Sequence, residues 1–99
     1  MRLTPVQIAA IRRTTAEIFG DQASVWLFGS RVDDSKRGGD IDLLICPGQA
    51  PAGSVLARKI TFLGRLERLL GERKVDVVIE EPGDTRPIVQ VAHRTGIRL

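Results

Sequence analysis

The stretch SVWLFGSRVDDSKRGGDIDLLIC, residues 24–46, decides how the chain is read. Its two ends, 24–28 and 40–46, are apolar runs of strand length, and between them lies a glycine-rich, charged segment. The first run stops at Gly29 and the second at Pro47-Gly48. Ser30, with Asp33 three residues on, makes a capping-box pattern that predicts a short helix after the first strand. Side chains alternate along a strand, so Asp40 and Asp42 share one face, roughly 7 Å apart, while Ile41, Leu43 and Ile45 take the other.

Working outward, residues 74–80 (KVDVVIE) repeat the arrangement. Val75, Val77 and Ile79 face one way and Asp76 the other. If the second and third strands are neighbours, their aliphatic rows join beneath a helix layer and Asp40, Asp42 and Asp76 gather on the opposite face. Residues 4–19 read as a helix, opened by the capping box of Thr4-Pro5-Val6-Gln7 and closed by Gly20. Residues 54–70 form a second, with Leu56, Ile60, Leu63 and Leu70 on one face, Leu66 beside it, and Gly71 as the stop. A last helix spans about 86–95 and ends at Gly96. The expected fold is α/β (α+β): a single domain over residues 1–99, with a small mixed sheet of about three strands flanked by helices.

Composition bounds the function. A chain of 99 residues buries about two-thirds of its extended surface on folding, enough for one core. Hydrophobic content of 42% and charged content of 27% exclude a globally disordered chain. The longest apolar run is too short to span a bilayer and no signal peptide opens the chain, so the expected compartment is the cytoplasm. A single cysteine, Cys46, excludes an internal disulfide and a cysteine-rich zinc site. The formal charge of +3 conceals a division. Residues 54–74 carry six basic side chains against two acidic ones, whereas 75–85 carry four acidic and no basic ones. With four aromatic residues in the chain there is little for stacking bases, so the basic helix reads as a solvated face and nucleic acid is not the expected partner.

The chemistry lies in residues 29–42 and Asp76. Taken singly, Gly29-Ser30 is an ordinary turn and Asp40-Ile41-Asp42 an ordinary strand edge. Together they make a site. Three carboxylates in a small area repel one another and are stable mainly with cations among them. Their hard oxygens select Mg²⁺, with Mn²⁺ as a substitute, and two such ions form the usual clamp for in-line displacement at phosphorus. Gly29 lets a phosphate approach the backbone, and the Ser30 hydroxyl and a helix start supply donors. Arg31, Lys36 and Arg37 in the same loop can neutralise a triphosphate.

This order of an apolar strand, Gly29-Ser30, nine intervening residues and Asp40-Ile41-Asp42, with Asp76 as a third carboxylate, resembles the nucleotidyltransferase superfamily that includes DNA polymerase beta. The resemblance is to its minimal nucleotidyltransferase (MNT) branch and covers essentially the whole chain. The segment Arg31-Val32-Asp33-Asp34 stands where that branch often has Arg-Ala-x-Gly. The resemblance implies an antitoxin of a HEPN/MNT toxin–antitoxin pair, transferring AMP from ATP to a tyrosine of its HEPN toxin. It implies Asp40, Asp42 and Asp76 as catalytic metal ligands and Gly29, Ser30 and Arg31 as the nucleotide-binding turn. The chain contains no tyrosine, so such an acceptor has to be met in trans.

Other readings are an antitoxin that neutralises its toxin by binding alone, through residues 54–70 or 86–99, and nucleotidyl transfer to a small molecule or nucleic acid. His93 has no metal-ligand companion at a suitable sequence spacing and reads as a surface or interface residue. Cys46 reads as a small apolar residue at a strand end, and Trp26 as core.

Overall fold

The computed structural model describes residues 3–29, 41–48, 54–71 and 74–99. The short helix expected after Ser30 lies outside these residues, as do Ser30, Arg31 and Asp40 themselves. The elements are α1 (Pro5–Phe19), β1 (Ser24–Phe28), β2 (Ile41–Cys46), α2 (Val55–Leu70), β3 (Val75–Ile79), α3 (Pro87–Thr95) and β4 (Ile97–Arg98). Among the described residues, no helix is long and apolar enough to cross a membrane.

Local chemistry sets the helix boundaries. The Thr4 hydroxyl accepts from the Gln7 backbone N–H at 3.1 Å, and the Gln7 side chain accepts from the Thr4 N–H at 2.9 Å. Pro5 follows at the first helical position, where its missing N–H removes no helical hydrogen bond. Ser54 caps α2 by accepting from the Ala57 N–H at 3.3 Å. At the other end of α1, the Arg58 guanidinium donates to the Ile18 carbonyl, one of the acceptors a helix terminus leaves open. Arg65 adds an ion pair to Glu17 at 2.6 Å. Two charges of the basic helix thus serve to lash α2 to α1.

The strands form one mixed sheet in the order β3-β2-β1-β4. β2 and β3 run parallel, joined through α2, and β1 is antiparallel to both β2 and β4. β4 is an addition to the three strands expected from the sequence. It pairs Ile97 with Leu27 and Arg98 with Trp26, and two residues are too few to leave an alternation pattern. Gly96 permits the tight passage into it, since a Cβ there would lie 2.3 Å from the Ala92 carbonyl oxygen.

Alternation divides the sheet residues between two layers. Val25, Leu27, Ile41, Leu43, Ile45, Val77 and Ile79 pack with Ile11, Ile18 and Phe19 of α1 and Phe62 and Leu66 of α2. Phe19 and Phe62 meet edge to face at 5.6 Å. On the other side, Phe28 and Leu44 pack with Val89 and Ala92 of α3, flanked by Trp26, Cys46 and Val78.

The buried face of α2 overlaps the one its periodicity suggested, since Leu63 and Leu70 pack against the core, but it is turned away from Leu56 and Ile60. Phe62 and Leu66 are fully buried, whereas Leu56 and Ile60 are 65% and 62% exposed. Apolar residues occupy more than half of this helix's circumference, so spacing alone leaves the phase open. Cross-layer packing against Phe19 and the aliphatic row of the sheet selects the Phe62–Leu66 seam.

Candidate functional site

The β2–β3 ladder positions the carboxylates. Its register makes Asp42 and Asp76 direct partners, between the pairs Ile41–Val75 and Leu43–Val77. Because both flanking pairs point into the α1–α2 core, Asp42 and Asp76 necessarily point to the opposite face, on strands about 4.8 Å apart. Asp42 is half-buried and Asp76 exposed.

Gly29 closes the other flank of Asp42. Phe28, the last residue of β1, is the register partner of Asp42, so the chain leaves β1 beside this carboxylate. Gly29 then turns with φ of +79°, and a Cβ there would lie 2.3 Å from the Asp42 Oδ2. Glycine is favoured here by the backbone conformation, and any Cβ would also displace the Asp42 carboxylate. A carboxylate oxygen of Asp42 lies in the space that a Cβ at Gly29 would take.

Of the sequence-derived site residues, the structure brings together Gly29, Asp42 and Asp76. Asp40, Ser30 and Arg31 lie outside the described residues. The donor set of Asp42 and Asp76 is two hard oxygen groups on one face of the sheet, which suits Mg²⁺ or Mn²⁺ and does not suit a thiophilic ion. A separate cleft of about 480 Å³ lies between α1 and the β1–β4 edge, lined in part by Arg12, Arg13 and Arg98, and touches neither carboxylate.

The same face carries a second cluster at the far ends of β2 and β3. His93 Nε2 lies 2.8 Å from Glu80 Oε1 and 3.9 Å from Cys46 Sγ. Burial pushes the Cys46 thiol up to about 11, the Glu80 carboxylate adds to the rise, and Ser24 and Arg98 oppose it. His93 is exposed, as the sequence reading had it, and the fold sets two neighbours beside it that sequence spacing does not show. Its companions are 13 and 47 residues away, distances at which local spacing rules are blind. Strand parity was the available signal, since Cys46 falls on the face of Asp42 and Glu80 on that of Asp76.

The loop between β3 and α3 fixes the helix that bears His93. The Asp84 side chain, 3% exposed, accepts from the backbone N–H groups of Glu81 (3.1 Å) and Arg86 (3.0 Å) and from the Arg86 guanidinium (2.6 Å). Arg86 also donates to the Ile79 carbonyl at 2.7 Å, clipping the start of α3 to the end of β3. These bonds hold the Asp84 carboxyl well below the usual carboxylate range, the Arg86 side chain contributing most.

No family model matches the chain, and no curated protein matches it.

Proposed function

We propose that this chain is a metal-dependent nucleotidyltransferase of the minimal type, an antitoxin that transfers AMP from ATP to a tyrosine of a HEPN toxin. The observation that supports the reading most is the direct pairing of Asp42 with Asp76 on one face of the sheet, with Gly29 against Asp42. Two carboxylates held side by side on adjacent strands offer paired hard oxygen donors, an arrangement that fits a site for divalent ions.

In this mechanism Asp42 and Asp76, with Asp40, are the residues that would hold Mg²⁺. When bound, the ion supplies Lewis-acid charge at the reacting phosphorus and at the attacking hydroxyl. Asp76, the exposed member on the edge strand, accepts the proton of the incoming phenol. Gly29 keeps the exit of β1 close to Asp42, and Ser30 and Arg31, next in the chain, hold the phosphates that leave as pyrophosphate. The phenol comes from another molecule, because these residues include no tyrosine.

The test is intact-mass analysis of the HEPN-type product of the adjacent gene after incubation with this protein, ATP and Mg²⁺. A partner mass raised by one or more AMP units, and unchanged with Asp42→Asn protein, is the expected result. The exposed Leu56 and Ile60 of α2 favour a second reading, an antitoxin that acts by covering its toxin. An unmodified partner that still forms a complex with both proteins would establish that reading and overturn the first.

A further inference from the structure

We infer that Cys46, Glu80 and His93 form a binding site for a zinc-class divalent ion, separate from the carboxylate pair and tying α3 to the sheet. Each ligand comes from a different part of the fold: Cys46 ends β2, Glu80 follows β3 and His93 lies on α3. Their ligand atoms lie within 4.8 Å of one another. Tetrahedral zinc with ordinary bond lengths places sulfur, nitrogen and oxygen donors about 3.4–3.6 Å apart. The observed separations, 2.8 Å from His93 to Glu80 and 3.9 Å from His93 to Cys46, bracket that range. The third separation, Cys46 to Glu80, is within 4.8 Å, so side-chain adjustment about a common centre is what an ion would require of the three.

The backbone that carries these ligands is already fixed. The Glu80 N–H donates to the Ile45 carbonyl at 2.9 Å, which extends the β2–β3 ladder and places Glu80 beside Cys46. Val89 and Ala92 are buried, and the Asp84–Arg86 clip holds the start of α3, so His93 is presented from an anchored helix. Trp26 packs edge to face on the His93 ring at 5.1 Å and restricts its plane. The His93 and Glu80 side chains are 38% and 29% exposed, which leaves a route for an ion to enter.

A Glu–His ion pair accounts for two of the three residues, and Cys46 packs beside Phe28 and Leu44 as a small residue at the end of β2. A metal ion would engage all three. One sulfur, one nitrogen and one oxygen donor select zinc and its later first-row neighbours over Mg²⁺, and three protein ligands leave a fourth position for water. The inference is independent of the nucleotidyltransferase reading, since it uses none of the same side chains.

The test is titration of the reduced protein with Co²⁺, whose bond to thiolate gives a near-ultraviolet charge-transfer band. We expect the band to saturate at one thiolate-bound Co²⁺ per chain, to be present in wild type and in Asp42→Asn, and to be lost in Cys46→Ser. His93→Gln and Glu80→Gln should each weaken binding at least about tenfold. Zn²⁺ should displace the Co²⁺, and excess Mg²⁺ should not. Far-UV circular dichroism of the metal-free variants checks folding, and the exposed position of His93 keeps that variant informative if Cys46→Ser fails to fold. Absence of the band in wild type, unchanged affinity in both His93→Gln and Glu80→Gln, or half an equivalent of Co²⁺ shared between two copies would overturn the site.

Discussion

The β2–β3 ladder carries two polar pairs on one face, and the two ends of that ladder present different donor atoms. Asp42 stands beside Asp76 at one end, Cys46 beside Glu80 at the other, and Leu44–Val78 lies between them. Four residues of strand separate Asp42 from Cys46, about 13 Å. Strand, parity and sheet face are the same at both ends. The difference is what lies above them. At the Cys46 end α3 supplies His93 and burial raises the thiol, whereas at the other end Asp76 is exposed to solvent and Gly29 supplies no side chain. An end with two hard oxygen donors, one of them exposed, suits a hydrated cation. A covered end with mixed donors suits a less hydrated ion. A single alternation rule thus places both clusters, and the helix layer sets their chemistry.

The most severe way to break the comparison is to neutralise the Asp42–Asp76 end. Asp76→Asn should lower AMP transfer by about 10²–10⁴-fold, the range associated with loss of a general base, while the fold persists. Initial rates of partner adenylylation check the first point and thermal unfolding the second. Cys46→Ser should leave that rate within about twofold, since the covered end is about 13 Å away. Equal losses in the two variants would show that the ends are not separate sites.

Next in size are substitutions in the scaffold beneath the ladder. Leu66→Ala should cost about 2–5 kcal/mol, because a fully buried side chain leaves a cavity, and Ile60→Ala should stay within about 0.5 kcal/mol. Urea unfolding of the two variants gives the comparison directly, and equal costs would contradict the phase of α2. Gly29→Ala should cost about 1–3 kcal/mol through its positive φ and the contact with Asp42. In an Asp42→Ala background the contact portion of that cost should disappear and the conformational portion remain, which a double-mutant cycle separates.

Much of this organisation was legible in the sequence because it rests on parity and on caps. The Thr4 capping box, the three main strands and the shared face of Asp42 and Asp76 follow from rules that act within a few residues. The rest depends on partners remote in the chain. β4 owes its existence to pairing with Trp26 and Leu27, and Ile97 and Arg98 alone carry no period. The seam of α2 was decided by Phe19, on a different helix. His93 looked solitary because its neighbours are brought to it by the sheet register and by the loop before α3.

That loop gives the smallest effect and the one that sharpens the comparison through pH. The Asp84 carboxyl is held below its unfolded value, near 3.9, by Arg86 and two backbone N–H groups. A depressed folded-state value means that the contribution is fully present above the unfolded value and is lost as pH falls below it. Wild type should therefore be more stable than Asp84→Asn at pH 7, and the gap in Tm should narrow as the pH is lowered from about 5 toward 2. The loosening should begin where Arg86 joins α3 to the Ile79 carbonyl, so amide exchange in α3 should accelerate before exchange in α1. A Tm gap independent of pH would mean that the clip holds by shape and not by charge. Acceleration of α1 and α3 together would mean that the covered end has no stability of its own to lose.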